Sequence, residues 1–375
     1  MEEWKEYKLE ETTDFIAGYA FKSKDFGSYE NKVVKIKDIQ PPFVSIASID
    51  GVNIHEYDIS KLAKYLVYKN DFLLAMTGAT IGKIGRYIYD KPVYLNQRVL
   101  KFMPKVGFDS DFIYYSLISD SFQKFIINHI DSDSAQPNIS ANTIGKYRLY
   151  IPDITIQKKI SHVLKVLDSK IELNRRINDN LEQQAQALFK SWFVENASYS
   201  GVSISEYFLP NRGKNLLVSD AKGGITPVVA GGLTPSAFHN VANTKAPVIT
   251  ISASGANAGF VNLWGIPVWA ADSSYIDSTI VSNIYFWYNL LKYNQKNIYE
   301  SQTGSAQPHI YPKHIGNLLI PDLDMRKVEC YESIVTSMYL QINEIQQETK
   351  FLSDLRDTLL PKLMSGELKI NDLNC

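Results

Sequence analysis

The sequence predicts an α/β (α+β) chain with a pseudo-two-fold internal repeat: two strand-rich domains joined by two long helices that pair as an antiparallel coiled coil. Three observations carry that expectation. Ser134-Ala135-Gln136-Pro137-Asn138-Ile139 returns as Ser305-Ala306-Gln307-Pro308-His309-Ile310, with one difference. The echo stays in step at Ile144-Gly145 and Ile315-Gly316, and at Ile151-Pro152-Asp153 and Ile320-Pro321-Asp322; upstream, Gly78-Ala79-Thr80-Ile81-Gly82 pairs with Gly255-Ala256-Asn257-Ala258-Gly259. Each copy then runs into a long segment of heptad character. An offset of roughly 170 residues is a whole domain plus a helix, far longer than a solenoid repeat.

The elements follow in order. Residues 1–151 read as a mixed first domain: Val33–Ile39 and Tyr65–Tyr68 cluster β-formers between turn residues, and Phe112–Asn128 has apolar residues at helical spacing. Residues 152–196 form the central helix. Ile160, Leu164, Leu167, Ile171, Asn174, Asn178, Leu181, Ala185, Leu188 and Trp192 step by four and three, an a/d seam without Pro or Gly. Asn174 and Asn178 in that seam weaken it but fix its register. Residues 197–322 resume strand-like, Gly- and Pro-rich sequence as a second domain. Residues 323–375 repeat the helix, with Met338, Ile342, Ile345, Thr349, Leu352, Arg356, Leu359 and Leu363 again in steps of four and three. Pro361 is expected to end or kink it and Gly366 to close it. Narrow stripes of this length pack on each other rather than on broad domain faces.

A 375-residue chain with 45% hydrophobic and 21% charged residues has the composition of a soluble globular protein with room for two or three cores. No apolar run reaches membrane-spanning length, and Met1-Glu2-Glu3-Trp4-Lys5 lacks the order of an export signal. The two cysteines, Cys330 and Cys375, have no metal spacing, so a reducing cytoplasm is expected. Net charge is −1, but it divides unevenly: residues 1–151 carry 19 basic and 19 acidic side chains, residues 197–322 only 7 and 6. A nucleic-acid face would have to come from local segregation of charge, as in the cluster Lys22, Lys24, Lys32, Lys35 and Lys37.

Short matches to catalytic motifs fail on context. Gly78–Lys83 is one residue short of a phosphate-binding loop, and its repeat at Gly255–Gly259 is followed by Phe260, not lysine. Gln40-Pro41-Pro42-Phe43 has Gln where an adenine-N6 methyltransferase loop needs Asn or Asp, so a Pro-Pro turn is the better account. Asp153 with Asp168 and Lys170, and Asp322 with Glu348 and Lys350, literally fit a nuclease pattern. Their second carboxylate and lysine fall on helices, where residues two apart diverge by about 200°. The six histidines have neither zinc nor triad spacing.

With these motifs in order and duplicated, the chain resembles a specificity subunit of a type I restriction-modification system. The resemblance rests on Ser134–Ile139 followed by Ile151-Pro152 and Gln157-Lys158-Lys159-Ile160, on Leu188-Phe189-Lys190-Ser191-Trp192-Phe193, and on Leu359–Leu368. It implies that the two domains are target-recognition domains, each reading one half of a split, asymmetric sequence in double-stranded DNA. It also implies that the helices hold them apart and dock two methyltransferase subunits, with restriction subunits joining afterwards. It implies no catalytic site, metal or cofactor in this chain, with AdoMet, ATP and Mg belonging to the partner subunits, and no membrane.

Arg suits guanine and Asn or Gln suits adenine in the major groove. The candidate DNA-contacting residues are therefore Lys22, Lys24, Lys35, Lys83, Arg86, Asn96, Gln97 and Arg98 in the first domain. Ser252, Ser254, Asn257 and Asn262 are the candidates in the second. Ala135, Gln136, Pro137 and Ala306, Gln307, Pro308 recur in both domains, which points to a structural or backbone-contacting role. The rival reading is a coiled-coil interaction scaffold without nucleic acid. Removing whole heptads from the central helix, about 55 Å long at 1.5 Å per residue, is expected to change the gap between half-sites and preserve both half-sequences. Mapping methylated sites with the shortened subunit checks this; an unchanged gap would refute the ruler.

Overall fold

The computed structural model describes residues 4–47, 49–130, 137–195, 197–304 and 307–370. The chain divides into two compact units, Met1–Ser169 with Leu352–Cys375, and Lys170–Phe351. Each unit takes part of both long helices, which run over Ile154–Phe193 and Met325–Met364.

In the first unit, a six-stranded sheet has the order Thr13–Ala17, Val99–Pro104, Phe72–Ala75, Ile84–Arg86, Phe43–Val44, Ile39–Gln40. Its central strand, Phe72-Leu73-Leu74-Ala75, is an unbroken apolar run because both its faces are covered. Phe72 and Leu74 face a core completed by helices, while Leu73 and Ala75 join Val34, Leu95 and Val99 on the other side. Pro41-Pro42 forms the two-residue turn between the last two strands. A second sheet, ordered Asp50–Val52, Phe26–Val34, Val93–Leu95, Leu66–Val67, contains one parallel pair, between Phe26–Val34 and Val93–Leu95. Lys5–Lys8 pairs antiparallel with Arg148–Ile151 just before the central helix.

Two expectations need correction here. The helix expected over Phe112–Asn128 is two, Ser110–Leu117 and Asp120–Asn128. Ser119 between them is extended, and its hydroxyl donates 2.6 Å to the Ser116 carbonyl, the local bonding by which serine competes with a helix. The strand expected to continue to Ile39 ends at Val34, and a short 3-10 turn, Ile36–Asp38, follows. The Asp38 carboxylate accepts from the Lys35 amide at 2.8 Å and fixes that turn.

The second unit repeats this plan with fewer strands. Asn211–Arg212, Ser273–Asp277, Val248–Ser252 and Val261–Trp264 occur in the order of the first four strands above. Ala237–His239, Thr226–Val229 and Trp269–Ala270 repeat the second sheet, again with one parallel pair. Helices Ile284–Tyr293, Gln295–Glu300 and Pro312–Gly316 match Ser110–Leu117, Asp120–Asn128 and Ala141–Gly145. The Glu332 carboxylate accepts from the Tyr285 and Phe286 amides at the start of the first of these. Burial raises its pKa despite those bonds.

The seam is observed within each unit. In the second, Asn174 donates 2.7 Å to Glu348, the Tyr331 hydroxyl donates 2.9 Å to the Ala185 carbonyl, and Lys327 donates 2.6 Å to the Trp192 carbonyl. Rising numbers on one helix meet falling numbers on the other, so the pair is antiparallel. In the first unit Asp168 meets Arg356 at 2.8 Å, and Ile160 and Leu164 share a core with Leu359 and Leu363. Ile160, Leu164, Ile171, Asn174 and Ile342 are buried; Leu167, Asn178, Leu181, Leu188, Met338, Ile345, Leu352 and Leu359 are half-buried.

Three details depart from the heptad reading. Phe189 takes the fully buried position beside half-buried Leu188. The C-terminal stripe begins well before Met338, at Val328, Tyr331 and Val335, all fully buried. In both places the helices are covered by strands and helices of the second domain as well as by each other, which widens the stripe. Finally, Pro361 lies inside the C-terminal helix. Its missing N–H costs only one bond in the last turn, and Gly366, at φ +74°, closes the helix with the Gly366 amide on the Leu363 carbonyl.

Leu164, with no exposed surface, and Leu173, about half exposed, sit on opposite faces of one helix. Leu164→Ala is expected to cost about 2–5 kcal/mol, and Leu173→Ala less than about 0.5 kcal/mol. Denaturant unfolding of the two variants measures the difference.

Candidate nucleic-acid interface

The duplicated motifs meet at one place in each unit. In the first, the Gly78 amide donates to the Pro137 carbonyl at 3.1 Å, the Gly82 amide to Ala75 at 2.9 Å, and the Ile139 amide to Met76 at 3.0 Å. In the second, the Gly255 amide donates to Pro308 at 3.1 Å, the Gly259 amide to Ser252 at 2.8 Å, and the Ile310 amide to Ala253 at 2.9 Å. Gly78 and Gly82 have φ of +73° and +81°, Gly255 and Gly259 +81° and +88°, values that favour glycine. Pro137 and Pro308 thus supply backbone acceptors that pin the glycine turn; Gln307 is exposed, and Ala135, Gln136 and Ala306 lie outside the described residues.

The sequence reading missed a second clamp. Gln123 donates 3.1 Å to the Gly82 carbonyl, and Gln295 donates 2.8 Å to that of Gly259. The repeated dipeptides Gln123-Lys124 and Gln295-Lys296 were the available signal, too short to stand out unaided.

Around the first turn, Lys83, Gln97 and Arg98 are exposed and Asn96 is half-buried. Lys22 and Lys24 are exposed too, Lys24 within 3.8 Å of Glu56. Around the second, Asn257 donates 3.4 Å to the Gly231 carbonyl, and Asn262 accepts from the Leu263 amide at 3.0 Å.

Four candidates have structural partners instead of a free reading edge. Arg86 pairs with Asp111 and stacks 4.2 Å over Tyr114, because its strand directs it inward beneath the helix Ser110–Leu117. Lys35 lies 2.9 Å from Asp50 and 3.5 Å over Phe26. Ser252 ends a strand covered on both faces and is buried, and Ser254 donates to Asp272.

The carboxylates of the nuclease-like pattern are likewise occupied. Asp153 accepts the Thr155 amide at 2.8 Å; Asp168 accepts from Tyr115 at 2.7 Å and from Arg356 at 2.8 Å. Asp322 accepts the Ser198 hydroxyl at 2.8 Å and the Ser200 amide at 3.1 Å, and Glu348 holds Lys170 and Asn174. Asp322 and Glu348 are accordingly held below the usual carboxylate range by these hydrogen bonds.

Comparison with known proteins agrees with the duplicated plan. The family model described as the type I restriction modification DNA specificity domain matches residues 1–183, the first domain and most of the central helix. The chain is thus similar to type I restriction-modification specificity subunits. The MjaIX specificity subunit of Methanocaldococcus jannaschii is 24% identical over 367 residues, covering 86% of this chain and 83% of that protein. The HindI specificity subunit of Haemophilus influenzae is 34% identical over 202 residues, 52% of this chain and 42% of that one. The crystal structure of the type I system S subunit from M. genitalium superposes with a TM-score of 0.62 at 20% identity, covering 96% of both chains, and so shares the fold.

Within the first unit, Asp111 carries a pH-dependent part of the stability. Burial acts against its charge, yet Arg86 and Lys165, the latter at 2.7 Å, hold its pKa below the usual value. A depressed carboxylate contributes stability above its unfolded pKa of about 3.9, which is lost as pH falls through the folded value. Asp111→Asn is expected to be less stable at neutral pH and to lose less on acidification below about pH 4; thermal melts across a pH series test both. Arg86→Ala should lower the melting temperature and leave the recognised sequence unchanged.

Proposed function

We propose that this chain is the non-catalytic reading subunit of a type I complex, recognising a split, asymmetric sequence in duplex DNA with one half-site per domain. The helices dock two methyltransferase subunits, and restriction subunits join the assembled complex. AdoMet, ATP and Mg are handled by those partners, and the complex works in the cytoplasm; among the described residues no helix is long and apolar enough to cross a membrane.

The observation that carries this reading is a fold built twice on the same backbone framework with different side chains around the same turn. The bonds from Gly78 to Pro137 and from Gly255 to Pro308 are alike to 0.1 Å. The surfaces beside them differ: Lys83, Gln97 and Arg98 flank one turn, and Asn257, Asn262 and Asp272 the other. A shared frame with unshared edges suits a protein that reads two different half-sequences. Phosphate contacts fix register, and base-edge contacts specify.

The test is methylation-site mapping in cells carrying the neighbouring methyltransferase, with and without this chain. A split adenine-methylated motif that disappears on deletion is the expected result. Absence of any chain-dependent motif, together with no DNA binding by the purified complex, would overturn the reading and leave a scaffold. If Lys83 contacts phosphate, Lys83→Ala should weaken binding about evenly across sequences and reduce the salt slope by about one.

A further inference from the structure

One position in the duplicated frame reverses its charge. The Met76 amide donates to the Arg98 carbonyl at 2.9 Å, and the Ala253 amide donates to the Asp272 carbonyl at 3.1 Å. Each acceptor immediately precedes the matching sheet strand, Val99–Pro104 or Ser273–Asp277. The Gly18 amide donates to Val99 at 3.0 Å, and the Gly213 amide to Ser273 at 2.7 Å. Arg98 and Asp272 therefore occupy the same place, beside the glycine turn and the motif residues Asn138 and His309.

Arg98 is held there at a conformational cost. Its φ is +71°, a region that a residue with a Cβ avoids and glycine adopts freely. The surrounding backbone leaves little freedom: the Asn96 amide donates to Val34 at 3.0 Å, Gln97 to Tyr19 at 2.8 Å, and Val99 to Asn96 at 3.2 Å. A strained backbone bearing a long, exposed cation is a feature of functional loops. Among the described residues its side chain reaches only Asn138, at 3.5 Å, and pairs with no carboxylate. A second observation lies at the base of the same loop: the Asn96 Oδ1 is enclosed without a hydrogen-bond partner in the described structure.

In the second unit the matching carboxylate is also positioned. Asp272 accepts from the Ser254 hydroxyl through Oδ2, and its Oδ1 lies 3.6 Å from Arg212, with about a third of the side chain exposed. A carboxylate offers about four lone-pair sites, so a donor from a ligand can still be accepted.

We infer that position 98 and its structural equivalent 272 are where the two half-sites are told apart: Arg98 faces a guanine of the first, and Asp272 faces a cytosine of the second. The chemistry follows from the groove. A guanidinium donates to the two guanine acceptors O6 and N7, and a carboxylate accepts from the cytosine N4 amino group. The inference rests on the DNA-reading function proposed above and adds the residues that discriminate.

Arg98→Gly is the cleanest test, because glycine suits φ +71° and the variant has no reason to misfold. Methylation-site mapping would compare the parental complex with complexes carrying Arg98→Gly or Asp272→Asn. Arg98→Gly is expected to relax one guanine position of the first half-site by about tenfold or more and leave the second half unchanged. Asp272→Asn is expected to relax one cytosine position of the second half only. If both variants keep the parental motif, or if Arg98→Gly weakens all sites evenly as loss of a phosphate contact would, the assignment is wrong and the DNA-reading function stands. If the parental complex itself yields no chain-dependent motif, the function fails and the assignment with it.

Discussion

The structure depends on one constraint: neither domain can close its core without the helix pair. In the first unit, Ile160, Leu164 and Leu363 belong to the same buried cluster as Phe72, Leu100 and Phe112. In the second, Phe189, Tyr331 and Val335 share a cluster with Ile249, Ile276 and Trp287. The seam that pairs the helices is thus also the floor of each domain. Tyr115 donating to Asp168, Asp111 held by Arg86 and Lys165, and Glu332 capping the helix at Tyr285 add polar ties between helix and domain. Each domain is thus joined to its part of the helix pair through a shared core.

Above that floor, a backbone frame is shared by the two domains while the exposed side chains beside it differ. The glycine turn is held by backbone bonds from Pro137 or Pro308 and by the amide of Gln123 or Gln295, none of which depends on the exposed side chains nearby. The side chains of Lys83, Gln97 and Arg98 take no part in those bonds. The same arrangement explains why the motif recurs in both domains while the flanking residues do not.

Charge is distributed accordingly. Lys35 and Lys37 both lie near Asp50, whose pKa they lower, and Arg86 is folded inward on Asp111. Basic residues that look available in the sequence are in part internal counter-charges, so net charge says little about the interface. In the second domain the acidic Asp272, next to Arg212, stands where the first has Arg98. One frame thus carries a cation without a carboxylate partner among the described residues in the first domain and an ion-paired carboxylate in the second.

Much of this was written in the sequence. The repeated hexapeptide and the glycine turns gave the duplication, and the four-three stepping of Ile160 to Trp192 gave the helix and its partner, because periodicity and motif order are one-dimensional properties. Asn174 in the seam was visible too, and it does bridge to the facing helix, 2.7 Å from Glu348. The direction each side chain takes was not visible. Nothing in the sequence separates Arg86, inward on Asp111, from Arg98, outward at φ +71°, although both are arginines beside strands of one sheet. Nor could it align Arg98 with Asp272, since the intervening loops differ in length and the register is set by the bonds to Met76 and Ala253 and those from Gly18 and Gly213. Strand pairing brings together residues far apart in the chain, and only that tertiary pairing decided which cations are counter-ions and which are presented.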